Sequence, residues 1–297
     1  MDNSAANLLT TVLANHAHLK VLDLGQISGI TTEGWWSVFS ALESPRCSMQ
    51  ELFLHYNEFN DEALTYLGNA LANNCILRRL SLKNLEGNRV TSSGWRAFAA
   101  VLQYPNSALE ELDLGGNSIN DDVLASFANS LTHNNKLKDL FLESYQDEED
   151  EEDIATITNW ELLSNVLCNK SSINATWKSN HTLGRVLDPD EDPGIDESNL
   201  PDLRTLLQLN RENTKAEAAR RKVISVHFSG DFNVQPFIDM DLKVLPHALA
   251  WMARNEHGSS LTYKFVRNTT FFLNVSNVGG GGTEPATNEP ESKRQKL

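Results

Sequence analysis

The sequence predicts an α/β solenoid, with short parallel strands on a concave face and helices on the convex face. Three observations point there. First, Leu-x-Leu pairs recur with their first Leu at 22, 52, 80, 112 and 140, at intervals of 30, 28, 32 and 28 residues. Second, both leucines of a pair fall on one side of an extended chain, because side chains alternate along a strand. Third, the stretches between pairs carry apolar residues at helical spacing. One such unit cannot bury its apolar face alone, so the units must stack.

The elements follow in chain order. The opening amphipathic helix, LLTTVLANH, precedes any strand and is expected to cap the stack; the other reading makes it part of a longer array. Strand segments follow in HLKVLDLGQISGI (18–30), MQELFLHYNEF (49–59), ILRRLSLKNLEGNRV (76–90), ALEELDLGGNSI (108–119) and KLKDLFLESY (136–145). A sixth, weaker copy is read at 171–183, with Ala175, Trp177 and Asn180 in the equivalent places. The helices are marked by Trp35, Val38, Phe39 and Leu42, by Leu64, Leu67 and Leu71, by Trp95, Phe98 and Leu102, by Leu124, Phe127 and Leu131, and by Trp160, Leu163 and Leu167. Gly34 and Gly94 open the first and third of them. After the strands stand Asn57, Asn88, Asn117 and Asn180, whose amides can bond backbone groups that stacking would bury unpaired.

The pattern LxxLxLxxNxL, in phase over five copies, resembles the leucine-rich repeat, and its period near 28 to 29 resembles the ribonuclease-inhibitor-like subclass. The resemblance covers roughly residues 5–185 and implies a leucine-rich repeat solenoid of about six units, assigned to 1–185. The first copy departs from it with Ile27 at the Asn position, the third with the extra residues of LEGN, and the fifth by running into acid.

Beyond the repeats, 186–200 reads as an acidic, Pro-containing loop. Asp188, Asp190 and Asp192 alternate like a calcium loop, but Pro193 and Asn199 stand where an EF-hand needs Gly and Glu, so a solvated loop is expected. Residues 201–277 carry helical patterns at 201–228, 236–255 and 258–273 and are read as a helical cap over the last strand. The tail, 278–297, opens with four glycines and reads as a disordered linker, with KRQK a short basic patch.

Charge narrows the function. The net charge is −15, and the runs at 147–153 and 188–197 hold 7 and 6 of those negative charges. A general nucleic-acid binder needs the opposite surplus, so none is expected. No run of about 18 apolar residues is present to span a bilayer. The start lacks the pattern of a secretory signal, and the three cysteines form no CxxC; both suggest cytosol or nucleus. Cys47 and Cys75 each stand five residues before a repeat Leu, as packed thiols or a reversible pair. His16 and His18 have no carboxylate or Cys at metal-ligand spacing, and no nucleotide-binding or hydrolase motif is found, so no cofactor, metal or catalytic residue is predicted.

The concave face carries the functional expectation. The position within Leu-x-Leu holds Asp23, Phe53, Ser81, Asp113 and Phe141; the one after it Gly25, His55, Lys83, Gly115 and Glu143; the one before it Val21, Glu51, Arg79, Glu111 and Asp139. Phenylalanine at two sites facing water, among mixed charges, has the composition of an interface. The chain is therefore read as a non-enzymatic protein-interaction scaffold. Its binding residues are Phe53, His55, Tyr56, Arg79, Lys83, Asp113, Phe141 and Glu143, and its partner is a protein, with basic surface favoured by the acidic runs. The family resemblance also implies two narrower roles, clasping a basic ribonuclease or regulating the small GTPase Ran. A subunit of a larger assembly is the third reading. The oligomeric state is not defined by the sequence.

Overall fold

The computed structural model describes residues 2–15, 18–85, 89–142, 157–187 and 201–227, with isolated positions at 246, 247, 250 and 254. The chain divides into two compact units, Met1–Asp231 and Phe232–Leu297, and the elements below belong to the first. His16, Asn88, Glu143, both acidic runs, the Asp188–Asp190–Asp192 loop, the tail and all but the isolated positions of the helical patterns after 235 lie outside the described residues.

Helix α1 (Asn3–Asn15) leads into β1 (Val21–Asp23) and α2 (Thr32–Ser40). Then come β2 (Glu51–Phe53), α3 (Asp61–Asn73), β3 (Arg79–Ser81), α4 (Ser92–Ala99), β4 (Glu111–Asp113), α5 (Asp121–Leu131) and β5 (Asp139–Phe141). The strands form one parallel sheet in sequence order, and the register places Leu22, Leu52, Leu80, Leu112 and Leu140 side by side. From β2 onward both leucines of every pair are buried. Each contributes about 1.5–3 kcal/mol of transfer free energy, repeated strand after strand. Leu22, on the edge strand, is only half buried, with α1 packed against α2 at that end.

The true period is two units. Helices α2 and α4 begin after Thr31 and Thr91, bury Trp35 and Trp95, and run into 3-10 turns at Ala41–Glu43 and Ala100–Gln103. Helices α3 and α5 are capped by Asn60 and Asn120, whose side-chain oxygens accept from the N–H groups of Ala63 and Val123 at 2.8 and 3.0 Å. The first acid of each, Asp61 or Asp121, reaches the next unit, accepting from the backbone N–H and hydroxyl of Thr91 or of Thr158. A cap of this kind is worth about 1 kcal/mol.

The turn asparagines also alternate. Asn57 donates to Leu24 O and Leu54 O and accepts from Ile27 N–H. Asn117 does the same for Leu82 O, Leu114 O and Leu85 N–H. In the third unit the register puts buried Leu85, not an asparagine, at this place. A single amide therefore serves two adjacent turns, so every second unit can do without one.

The sixth copy is displaced from its sequence assignment. Residues Ile173–Trp177 form a short helix, α7, started by Ser172, whose hydroxyl accepts from Ala175 N–H. Ala175 and Trp177 are thus helical. The sixth strand position falls at Arg185, which bridges to Asp139; Gly184 and Arg185 N–H donate to Lys138 O, and Leu140 N–H donates to Arg185 O. The reason is the role of Asn180. It precedes its strand, as Asn74 and Asn134 do, and its side-chain oxygen accepts from the second and third N–H groups that follow.

Helices α6 (Glu161–Leu167), α8 (Pro201–Glu212) and α9 (Lys215–His227) complete this end. The helical pattern read at 201–228 is broken at Asn213 and Thr214. Asn210 on α8 extends the amide series, donating to Asn180 O and Leu183 O. Behind it Lys222 on α9 is fully buried. Its ammonium donates to Leu167 O, Asn180 O and Asn210 Oδ1 at 2.8, 3.2 and 2.8 Å.

Candidate protein-binding face

Strand register decides which predicted residues meet. Glu51, Arg79, Glu111 and Asp139 form one row across β2–β5; Phe53, Ser81, Asp113 and Phe141 form the next row but one. Alternation sends both rows away from the leucine core.

At the centre Arg79 ties three strands together. Its guanidinium bonds Glu51 at 3.3 Å and Glu111 at 3.0 Å, and its Cζ lies 5.9 Å from the Phe53 ring. Phe53 is half buried, one part of its ring covered by Arg79 and the rest open. The pairs are partly solvated and contribute little to stability, but they hold the cation beside the ring.

The rim is polar and tightly turned. His55 lies over Gly25, where any Cβ would fall 2.2 Å from the imidazole, and its Nδ1 is 4.0 Å from the Asp23 carboxylate. The His55 and Tyr56 rings meet edge to face at 5.7 Å. Gln26, Tyr56, Asn84 and Gly116 occupy equivalent turn positions, all with φ between 46 and 70°. Only glycine adopts this region without cost, so the three side chains are held there by the repeat turn. Tyr56 accepts a hydrogen bond from Asn84 Nδ2 at 3.0 Å. Asp113 accepts from the Ser81 hydroxyl and from Gly115 N–H, both at 3.0 Å.

Phe53, His55, Tyr56, Arg79, Lys83 and Asp113 therefore share the surface of β2–β4 and their turns. Phe141 lies in the same row but is 8% exposed, so it cannot present an open ring as expected. Arg185 covers it, 5.9 Å from the ring and held by two 2.8 Å bonds to Asp139. The arrangement at Phe53 is thus repeated three strands later in a closed form. Sequence reasoning missed Arg185, because it places the sixth strand eleven residues too early. Placing Leu183 in line with Leu137 would have found it.

The thiols at equivalent repeat positions differ: Cys47 is buried, Cys75 exposed, and both are free. Among the described residues no group of three or more His, Cys, Asp or Glu is placed to hold a metal ion, and no helix is long and apolar enough to cross a membrane.

The strand–turn–helix unit, the leucine core and the turn amides define a solenoid of leucine-rich repeats of the ribonuclease-inhibitor-like subclass. The chain is similar to human NACHT, LRR and PYD domains-containing protein 13, at 29% identity over 134 residues, covering 45% of this chain and 12% of that protein. It is 30% identical over 139 residues to the mouse NACHT, LRR and PYD domains-containing protein 5, covering 47% and 12%. The matched region is thus about an eighth of the length of these curated relatives. No family model matches. Among solved structures, the tropomodulin C-terminal domain of Caenorhabditis elegans aligns over 71% of this chain and 95% of that domain, at 13% identity and a TM-score of 0.39.

Proposed function

We propose that the chain is a non-enzymatic scaffold that binds a protein on the concave surface of β2–β4. The observation that carries this reading is the half-open Phe53 ring, fixed beside Arg79 on a regular sheet. An aromatic next to an arginine on a stiff support has the character of a binding hot spot, since little side-chain freedom is left to lose. His55, Tyr56, Lys83 and Asp113 supply a polar surround. The acidic run at 147–153 follows β5 in sequence and favours a partner with basic surface, speeding its approach through long-range attraction.

The test is affinity capture from native lysate at low and high salt, with wild type and Phe53→Ala, followed by titration of the retained protein. Phe53→Ala is expected to leave the fold intact by circular dichroism and to weaken the dissociation constant by about 30-fold, or 2 kcal/mol. An unchanged constant in the variant removes the site. Capture that weakens with salt supports the electrostatic contribution.

A further inference from the structure

A second polar surface lies where the sixth strand meets the turn between α8 and α9. A cleft of about 550 Å3 opens there, and Lys138, Arg185, Arg211, Asn213, Thr214 and Lys215 are among the residues that line it. Lys136 stands nearby: burial, then the charges of Lys136 and Lys138, hold the Lys215 ammonium below its usual pKa. The described carboxylates at this place are already engaged. Glu110 is shared between Arg78 at 2.9 Å and Lys138 at 2.6 Å, and Asp139 is held by Arg185. Five cations, Lys136, Lys138, Arg185, Arg211 and Lys215, thus gather around two occupied carboxylates, in a chain whose net charge is −15.

The repeat has been modified to make room. Where the earlier units place Lys20, Gln50, Arg78, Glu110 and Lys138, the sixth has Gly184. A Cβ at Gly184 would fall 2.7 Å from Arg211 Cγ, so the arginine stem runs over the glycine at the edge of the cleft.

We propose that this cleft binds a compact polyphosphate, a small molecule bearing two or more phosphate groups. Each phosphate brings about −1.5 to −2 charge in a small volume, so two of them balance the surplus. A carboxylate chain would need three or four residues to do so. Arginine forks and lysine ammoniums suit phosphate oxygens, and the Asn213 and Thr214 side chains add neutral donors. Among the described residues no Phe, Tyr or Trp lines the cleft to stack a base, and the one imidazole there, His181, has its ring nitrogens against Trp177 O and the Lys222 ammonium. The acidity of the rest of the chain opposes a long nucleic-acid strand.

The test is calorimetric titration with myo-inositol hexakisphosphate at physiological salt, beside co-sedimentation with vesicles containing phosphatidylinositol bisphosphate. Wild type is expected to bind, and Arg211→Ala/Lys215→Ala to bind at least about tenfold more weakly. Arg46→Ala/Arg96→Ala, which removes two exposed cations elsewhere, is expected to stay within about twofold of wild type. Thermal melts would check that both variants are folded. Binding to free hexakisphosphate identifies a soluble ligand; binding only to vesicles, lost in the Arg211 and Lys215 variant, identifies a lipid headgroup. Binding of neither probe, equal binding by that variant, or equal competition by octaglutamate overturns the proposal.

Discussion

The body of the solenoid and its C-terminal end bury polar groups in different ways. In the body each buried amide is a neutral island: Asn57 and Asn117 satisfy three backbone groups apiece and sit 60 residues apart. At the end the amides become contiguous. Asn134, Asn180 and Asn210 follow one another, and a charged lysine closes the series. A repeating unit hands its unpaired groups to the next unit; among the described residues the sixth strand position is followed by α8 and α9, whose side chains finish the ladder instead. Lys222 does so with three donors aimed at two carbonyls and an amide oxygen, and among the described residues no carboxylate is bonded to it.

That contrast is broken most severely at Lys222. Lys222→Ala removes a fully buried side chain and leaves three buried acceptors short of donors. A loss of about 4 kcal/mol is expected, read by urea unfolding. The same group makes this end sensitive to pH. Burial pushes its pKa down to about 8 from an ordinary value of 10.5. Between those values the unfolded chain holds the proton that the folded chain has released. Stability should therefore rise from pH 8 to 10.5, by about 3 kcal/mol, and the rise should vanish in Lys222→Met. His181 acts in the same direction at lower pH. Burial, then the Lys222 charge, brings its pKa to about 4, and its Nδ1 lies 3.4 Å from the ammonium while Nε2 faces Trp177 O. The unfolded histidine takes up a proton first, so stability falls as pH drops from 6.5 towards 4. A flat profile in both windows would show that the end is not closed as described.

The same contrast explains what was legible in the sequence. Leu-x-Leu spacing located all five strands of the body, because a repeated apolar register leaves no other face to bury. The helices between them followed from Trp35, Leu64, Trp95 and Leu124. The two-unit alternation was in the sequence as well, in Asn60 and Asn120 or Trp35 and Trp95, but the leucines repeat in every unit and mask it. Sequence logic failed at the end, where Ala175 and Trp177 mimic a strand pair and only the N-cap at Ser172 and the spacing from Asn180 to Leu183 distinguish a helix. Of the candidate face, its rows were legible from alternation. The covering of Phe141 was not, because it depends on Arg185, on a strand that had been misplaced.

A smaller effect separates the island amides from that network. Asn117→Ala takes away two donors and one acceptor in the body and should cost about 2–3 kcal/mol, with no change in the pH profile. Asn210→Ala loses bonds to Asn180 O, Leu183 O and the Lys222 ammonium, so it should both destabilise and shift the alkaline rise. Variants that behave alike would remove the distinction between body and end.

The smallest effect on the fold is expected at Arg79, and it separates binding from folding. Its side chain is 45% exposed and its two carboxylate partners are partly solvated. Arg79→Ala should change unfolding free energy by less than about 1 kcal/mol, and by less still at high salt. The Phe53 ring would lose its cation and its fixed neighbour, since the aliphatic stem of an arginine packs as well as its charge. A partner captured by wild type should therefore bind Arg79→Ala more weakly while the melting curve barely moves. The opposite result, a destabilised protein with unchanged affinity, would assign Arg79 to the sheet alone.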